Sequence, residues 1–170
     1  MREITHYNFI ELYLLILRGS LLLNIFSFVL MIVGFGFTFD FNFIKMFIYY
    51  FIGLYGSYAV HEFGHLAVGR KYCSEIIYKY SFFRIGIYFE IKNLDKRTII
   101  ALSGPMITTL VGFFILLMGY YFKILLLKRI GTLYAFHFIF LLLPIGDGRI
   151  IQRRIHESIK KICWRYTSNG

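Results

Sequence analysis

Residues 43–69 read FIKMFIYYFIGLYGSYAVHEFGHLAVG, and this stretch decides what kind of fold the chain can adopt. It is apolar for long enough to cross a bilayer as a helix. Near its end, however, it contains the ionisable sequence His61-Glu62-Phe63-Gly64-His65. Ionisable groups at membrane depth are costly and usually functional. The stretch therefore predicts a membrane-spanning helix that carries a polar site towards one end.

Three further apolar segments accompany this one, at residues 19–39, 98–122 and 131–150. Of the 170 residues, 58% are apolar and the mean hydropathy is +0.65, whereas soluble domains are roughly 45–50% apolar. We therefore expect an all-α integral membrane protein with about four transmembrane helices, forming one membrane domain over residues 1–170.

Two segments outside these spans have patterns of their own. The second half of residues 76–91 alternates between apolar and polar side chains, which predicts a short membrane-associated β-hairpin that turns near Phe83. Residues 151–170 form a basic tail in which isoleucines recur at roughly helical spacing. This tail predicts a cytoplasmic amphipathic helix on the membrane surface.

The net charge of +10 arises from residues between and after the apolar runs. Without a basic soluble domain, this distribution indicates anchoring at the membrane surface and gives no reason to expect nucleic-acid binding. If the N-terminus is inside, the outer loops carry only four basic residues, which are Lys45, Lys123, Lys128 and Arg129. The positive-inside rule then predicts a multi-pass protein of the cell membrane with both termini in the cytoplasm.

His61 and His65 are four residues apart, so on a helix both imidazoles lie on one face and can reach one metal ion. Glu62 lies between them, close enough to take a proton from a water that zinc activates. We therefore predict that His61 and His65 are ligands of one zinc ion per chain, and that Glu62 is the catalytic base.

A catalytic zinc also needs a third protein ligand and an open position. Asp147 is the best candidate, because the expected topology places both it and His65 near the inner ends of their helices, at the same depth. His137 is ten residues earlier, which corresponds to roughly 15 Å along a straight helix. We therefore predict that His137 is a poor ligand and makes a polar contact elsewhere.

The third span contains Gly104 and Pro105 near its inner end, again at the depth of the site. Pro105 frees a backbone carbonyl, and Gly104 permits another helix to approach closely. The pair could shape a pocket for a substrate, or it could simply kink the helix for packing. Both interpretations fit the residues equally well.

These motifs together resemble the site-2 protease family of intramembrane zinc metalloproteases, in a minimal form without a PDZ or regulatory domain. HEFGH matches the family's HExxH helix, Ser103-Gly104-Pro105 matches its Gly-Pro element, and residues 144–148 (PIGDG) match its Asp-Gly motif after a proline. The resemblance covers roughly residues 45–150. It implies cleavage of a peptide bond within or beside a membrane segment.

The chain departs from the family pattern at two positions, since family members often have asparagine where it has Leu141 and Thr108. Those asparagines are thought to hold the substrate backbone, so the metal site follows the family pattern whereas the substrate contacts depart from it. The resemblance implies that the substrate-binding residues at the Gly-Pro element are Gly104, Pro105 and Thr108. A substrate helix must first unwind to be cleaved. The hairpin at 76–91 could then offer it an edge strand, or could be only a membrane-associated loop.

Two functions from different classes remain open on the sequence. The first is an intramembrane endopeptidase that cleaves a membrane-anchored protein or a small peptide precursor. The second is a non-catalytic membrane protein that binds a peptide, or that serves in immunity or export. Glu62 favours the first, because a protein that only binds has no need of a base. The sequence indicates neither the substrate nor the oligomeric state.

Overall fold

The computed structural model describes residues 2–3, 8–73, 76–81, 84–89, 91, 93–143 and 146–168. Within this part of the chain, three helical segments are long and apolar enough to cross a membrane: Leu21–Thr38, Asn42–Gly69 and Leu94–Tyr121. They coincide with the first three predicted spans to within a few residues, and their length and composition are those of the helices of a membrane protein.

A helix that the sequence did not predict comes first. Helix α1 (Phe9–Gly19) begins with a capping box, in which Asn8 and Glu11 each accept a hydrogen bond from the other's backbone N–H. Its buried face, Leu12 and Ile16, packs in the core cluster. Helix α2 (Leu21–Thr38) follows at once and exposes its apolar side chains almost everywhere, as a lipid-facing helix does.

The second span is one continuous helical segment whose middle part is a π-helix instead of an α-helix. It consists of α3 (Asn42–Ile48), a π-helix (Tyr49–Tyr55) and α4 (Gly56–Gly69). The π-helix lies directly before the turn that leads to His61. Two tyrosine hydroxyls donate to its carbonyls, Tyr13 to Phe51 and Tyr134 to Ile52, each at 2.9 Å. Each bond gives a carbonyl of the π-helix a side-chain donor and ties this segment to another helix.

The third span, α5 (Leu94–Tyr121), packs against α4 at a point where two glycines meet. A Cβ atom added at Gly64 would lie 2.9 Å from the Cα of Gly104 and 2.9 Å from the carbonyl of Ser103. The Ser103 hydroxyl in turn donates to the Gly64 carbonyl at 3.1 Å. Close approach of the two backbones is therefore possible only because both positions lack a side chain.

The predicted fourth span at 131–150 is not a single helix, which is a correction to the sequence analysis. Helix α6 (Leu125–Ala135) packs back along α5 and passes into a 3-10 helix (Phe136–Leu141); α7 (Gly146–Ser168) then begins. Hydropathy alone does not distinguish these conformations, because the same apolar residues give the same mean hydropathy in an α-helix and in a 3-10 helix. Pro144, which the sequence analysis placed in the Asp-Gly motif, lies outside the described residues.

Three strands pair antiparallel in the order β1 (Arg2–Glu3), β2 (Ile76–Ser81) and β3 (Arg84–Phe89). The β2–β3 register runs from Ile76 opposite Phe89 to Ser81 opposite Arg84. Both strands fall within the segment for which the alternating pattern predicts a hairpin, whereas the turn predicted near Phe83 lies outside the described residues. Strand β3 lies beside α4.

Candidate metal centre

Helix α4 presents His61, Glu62 and His65 within one helical turn. All three side chains are buried, with exposures of 7%, 6% and 5%. The ring centroids of the two histidines are 4.7 Å apart and their planes are nearly perpendicular. The spacing of four residues thus places both imidazoles on one face, as the sequence predicts.

Asp147 reaches the same point from the first turn of α7. The residue before it, Gly146, has φ +49°, in the left-handed region that favours glycine. This conformation lets the chain enter α7 at an angle that side-chain-bearing residues rarely adopt. Asp147 lies at the start of a helix, and not at the end of a span as the sequence analysis expected.

The three side chains form a nearly equilateral triangle of possible ligand atoms. Nε2 of His61 and Nε2 of His65 are 3.1 Å apart, and each lies 3.1 Å from Oδ2 of Asp147. Residues separated by 82 and 86 positions in sequence therefore converge on one point. Such a cluster of two histidines and a carboxylate could hold a metal ion.

The triangle fits a small tetrahedral ion. Zinc binds histidine nitrogen and carboxylate oxygen at about 2.0–2.1 Å, which separates neighbouring ligand atoms by about 3.3 Å in a tetrahedron. The observed separations of 3.1 Å require only a small outward adjustment. Three protein ligands also leave the fourth position open, as in catalytic zinc sites.

His65 is held in the correct orientation by the neighbouring helix. Its Nδ1 lies 2.6 Å from the carbonyl oxygen of Ile100 on α5. A carbonyl can only accept, so Nδ1 carries the proton and Nε2 keeps its lone pair for a metal. The sequence contains no signal for this contact, since the acceptor is a backbone atom.

His137 lies directly beside His61, so the prediction that it lies far from the site is wrong. Its Nδ1 is 3.2 Å from Nδ1 of His61, and the ring centroids are 5.0 Å apart. The predicted separation assumed a straight helix from 137 to 147. The helix instead ends at Leu141, and His137 and Asp147 contact opposite nitrogens of the same imidazole.

The residues predicted to bind a substrate occupy the helix face next to His65. A Cβ atom at Gly104 would lie 2.5 Å from both Cε1 and Nε2 of His65, so only glycine fits there. Pro105 and Thr108 are fully buried, and the Thr108 hydroxyl donates to the Gly104 carbonyl at 2.8 Å. The structure thus shows a packing role for Gly104. A contact between these residues and a substrate stays a prediction.

Outside the triangle, an ion pair joins α7, the helix that carries Asp147, to α5. Nη2 of Arg154 lies 2.6 Å from Oδ1 of Asp95 in the first turn of α5. The other aspartates of the chain, Asp95 and Asp40, have partners elsewhere: Asp95 has this arginine, and Asp40 accepts from the backbone N–H of Asn42. In the described part of the chain, neither belongs to the cluster that could hold a metal.

Comparison with known proteins shows a related fold. No protein-family model matches the chain, and no curated protein does. Among solved structures, the chain is similar to the site-2 protease from Methanocaldococcus jannaschii, with a TM-score of 0.55 and 24% sequence identity. The similarity covers 79% of this chain but only 64% of that one, less than two-thirds of its length. This chain therefore has a fold like that of a site-2 protease.

Proposed function

We propose that this protein is a zinc-dependent intramembrane endopeptidase that cleaves a membrane-anchored protein or a small peptide precursor within or near the bilayer. One observation supports the proposal most strongly. The triangle of His61, His65 and Asp147 has the size of a three-ligand zinc site, and its two histidines lie in a helical segment of membrane-spanning length, next to the buried Glu62.

Zinc, when bound, would supply Lewis-acid activation of the attacking water and of the scissile carbonyl. His61, His65 and Asp147 would hold it, and the Ile100 carbonyl keeps the ring of His65 turned towards it. Glu62 follows His61 directly on the same helix. Its carboxylate would accept the proton of the attacking water and pass it to the amine that leaves, as a general base and then a general acid.

The substrate is proposed to bind as an extended segment. Helical backbone is fully hydrogen-bonded to itself, so a membrane segment must unwind before a peptide bond can be attacked. In the described residues, β3 pairs with β2 on one side only, and it lies beside α4. An unwound segment could add to the other edge of β3 and be held close to Glu62.

We also propose that the protein lies in the cell membrane with both termini in the cytoplasm.

A paired measurement of metal content and cleavage tests the proposal. Purified protein should hold about one zinc per chain and should cleave a membrane-anchored reporter peptide. Glu62→Gln keeps the size of the side chain but removes the base, so cleavage should be lost while zinc stays bound. Glu157→Gln, the same change at a solvent-accessible position on α7, is the matched control and should cleave normally.

Two results would contradict this proposal. Normal cleavage by Glu62→Gln would exclude the assigned base. Unchanged zinc content after joint replacement of His61, His65 and Asp147 would exclude the site itself. A protein that binds zinc yet cleaves no tested substrate, with or without Glu62, would favour the non-catalytic alternative of a peptide-binding or accessory protein.

A further inference from the structure

His137 is a buried polar residue whose two neighbours in the chain are exposed and apolar. It lies in the 3-10 helix at 8% exposure, whereas its neighbours Phe136 and Phe138 are 56% and 52% exposed. A histidine directed inwards from such a segment needs a partner, because buried polar groups are costly when unpaired. The partner on the site side is His61.

The contact joins specific atoms. Nε2 of His61 belongs to the ligand triangle, so its lone pair must be available and the ring proton must reside on Nδ1. That Nδ1–H then donates to Nδ1 of His137, 3.2 Å away. His137 must accept at Nδ1, and therefore carries its own proton on Nε2. The contacting nitrogen of His137 faces the far side of the His61 ring from the triangle, which is unsuitable for a direct ligand.

The arrangement repeats what the structure shows for the other histidine. His65 donates its Nδ1–H to the Ile100 carbonyl on α5, and His61 donates its own to His137 on the 3-10 helix. Each ligand ring is thus oriented by an acceptor on a different element. Such outer partners fix the tautomer of a metal-bound histidine and raise its basicity.

We propose that His137 is a positioning residue, whose Nδ1 holds His61 in the tautomer and orientation that direct Nε2 to the metal. The inference rests on the proposed metal site but not on proteolysis.

Two amide substitutions at His137 test whether its hydrogen bond to His61, and not only its packing, supports zinc binding. The side-chain oxygen of asparagine falls near the position of histidine Nδ1, whereas that of glutamine falls near Nε2. His137→Asn should therefore keep zinc affinity within about threefold of the unchanged protein, while His137→Gln and His137→Phe should lower it by about 10–100-fold, the usual effect of losing such a partner. Zinc affinity is measured on the full chain in detergent by competition with a chromophoric chelator, without any cleavage assay.

Cobalt substitution gives a second readout that a packing role alone would not change. The visible absorption of bound Co²⁺ should be the same for His137→Asn and the unchanged protein, and altered for His137→Gln. Leu141→Ala removes a buried side chain from the same 3-10 helix and should leave zinc affinity within about threefold. Equal zinc affinity in the Asn and Gln variants, whether both high or both low, would overturn the proposal. An unchanged protein that binds no zinc would overturn the metal site as well.

Discussion

Replacing Gly104 by alanine places a methyl group against a predicted metal ligand. The added Cβ would lie 2.5 Å from Nε2 of His65 and 2.8 Å from the His61 carbonyl, whereas ordinary contact begins near 3.4 Å. Relief of the closer contact requires a displacement of about 0.9 Å. The His65 ring cannot move freely, because its other nitrogen is bonded to the Ile100 carbonyl and its side chain is buried.

The expected loss follows from this displacement. Overpacking of a core costs about 1–3 kcal/mol, and metal–ligand distances tolerate changes of only about 0.2 Å. If the cost falls mainly on the metal-bound state, zinc affinity should decrease by about 5- to 150-fold, at 1.4 kcal/mol per tenfold. Zinc affinity measured by chelator competition and the melting temperature of the metal-free protein together show where the cost falls.

Gly36→Ala provides the matched control. Gly36 lies within α2 and would meet nothing within 4 Å on gaining a Cβ. Alanine is a better helix former than glycine, so this variant should be as stable as the unchanged protein or slightly more so, with normal zinc affinity. Normal zinc affinity in Gly104→Ala as well would refute the reasoning, because the methyl group would then have been accommodated without moving His65.

Three further substitutions test other parts of the structure. Tyr134→Phe removes the hydroxyl that donates to the Ile52 carbonyl in the π-helix, and should lower the free energy of unfolding by about 1 kcal/mol. Tyr121→Phe, at a residue 79% exposed, is the control and should leave the free energy of unfolding unchanged. Equal melting temperatures for the two variants would contradict the role of the bond. Asp147→Asn should weaken zinc binding by more than tenfold because it removes the anionic ligand; an affinity equal to that of Asp95→Asn would exclude Asp147 as a ligand. Arg154→Ala removes a partly exposed ion pair and should lower stability by less than about 1 kcal/mol, with a smaller effect at high salt; an effect independent of salt would indicate that packing, and not charge, joins α7 to α5.

Much of the fold follows from the solvent in which the chain folds. A bilayer demands long apolar helices, so α2, the segment containing α4, and α5 are all visible as hydrophobic runs. The pair His61 and His65 is equally visible, because helical periodicity alone places them together. Asp147 was selected from an expected depth at the end of a fourth span, whereas the structure brings it to the two histidines from the start of α7.

Other features leave no trace in hydropathy. A π-helix differs from an α-helix by one residue in the spacing of its backbone hydrogen bonds and can have the same composition, so Tyr49–Tyr55 could not be recognised. Helix α1 is only 11 residues long, and its apolar face is shorter than a membrane span. The contact of His137 was missed for a geometric reason. Distance along a chain predicts distance in space only while the helix continues, and this helix ends at Leu141.

The ligand atoms come from distant parts of the sequence, which affects how a bound ion would stabilise the protein. His65 and Asp147 are 82 residues apart, so an ion held by both would act as a cross-link that closes a loop of that length. In the chain-entropy model a covalent link across such a loop is worth about 4–5 kcal/mol, an upper bound where a bilayer already restricts the helices. A zinc ion at this site would thus also fasten α7 to the rest of the protein, and metal depletion should release that helix first.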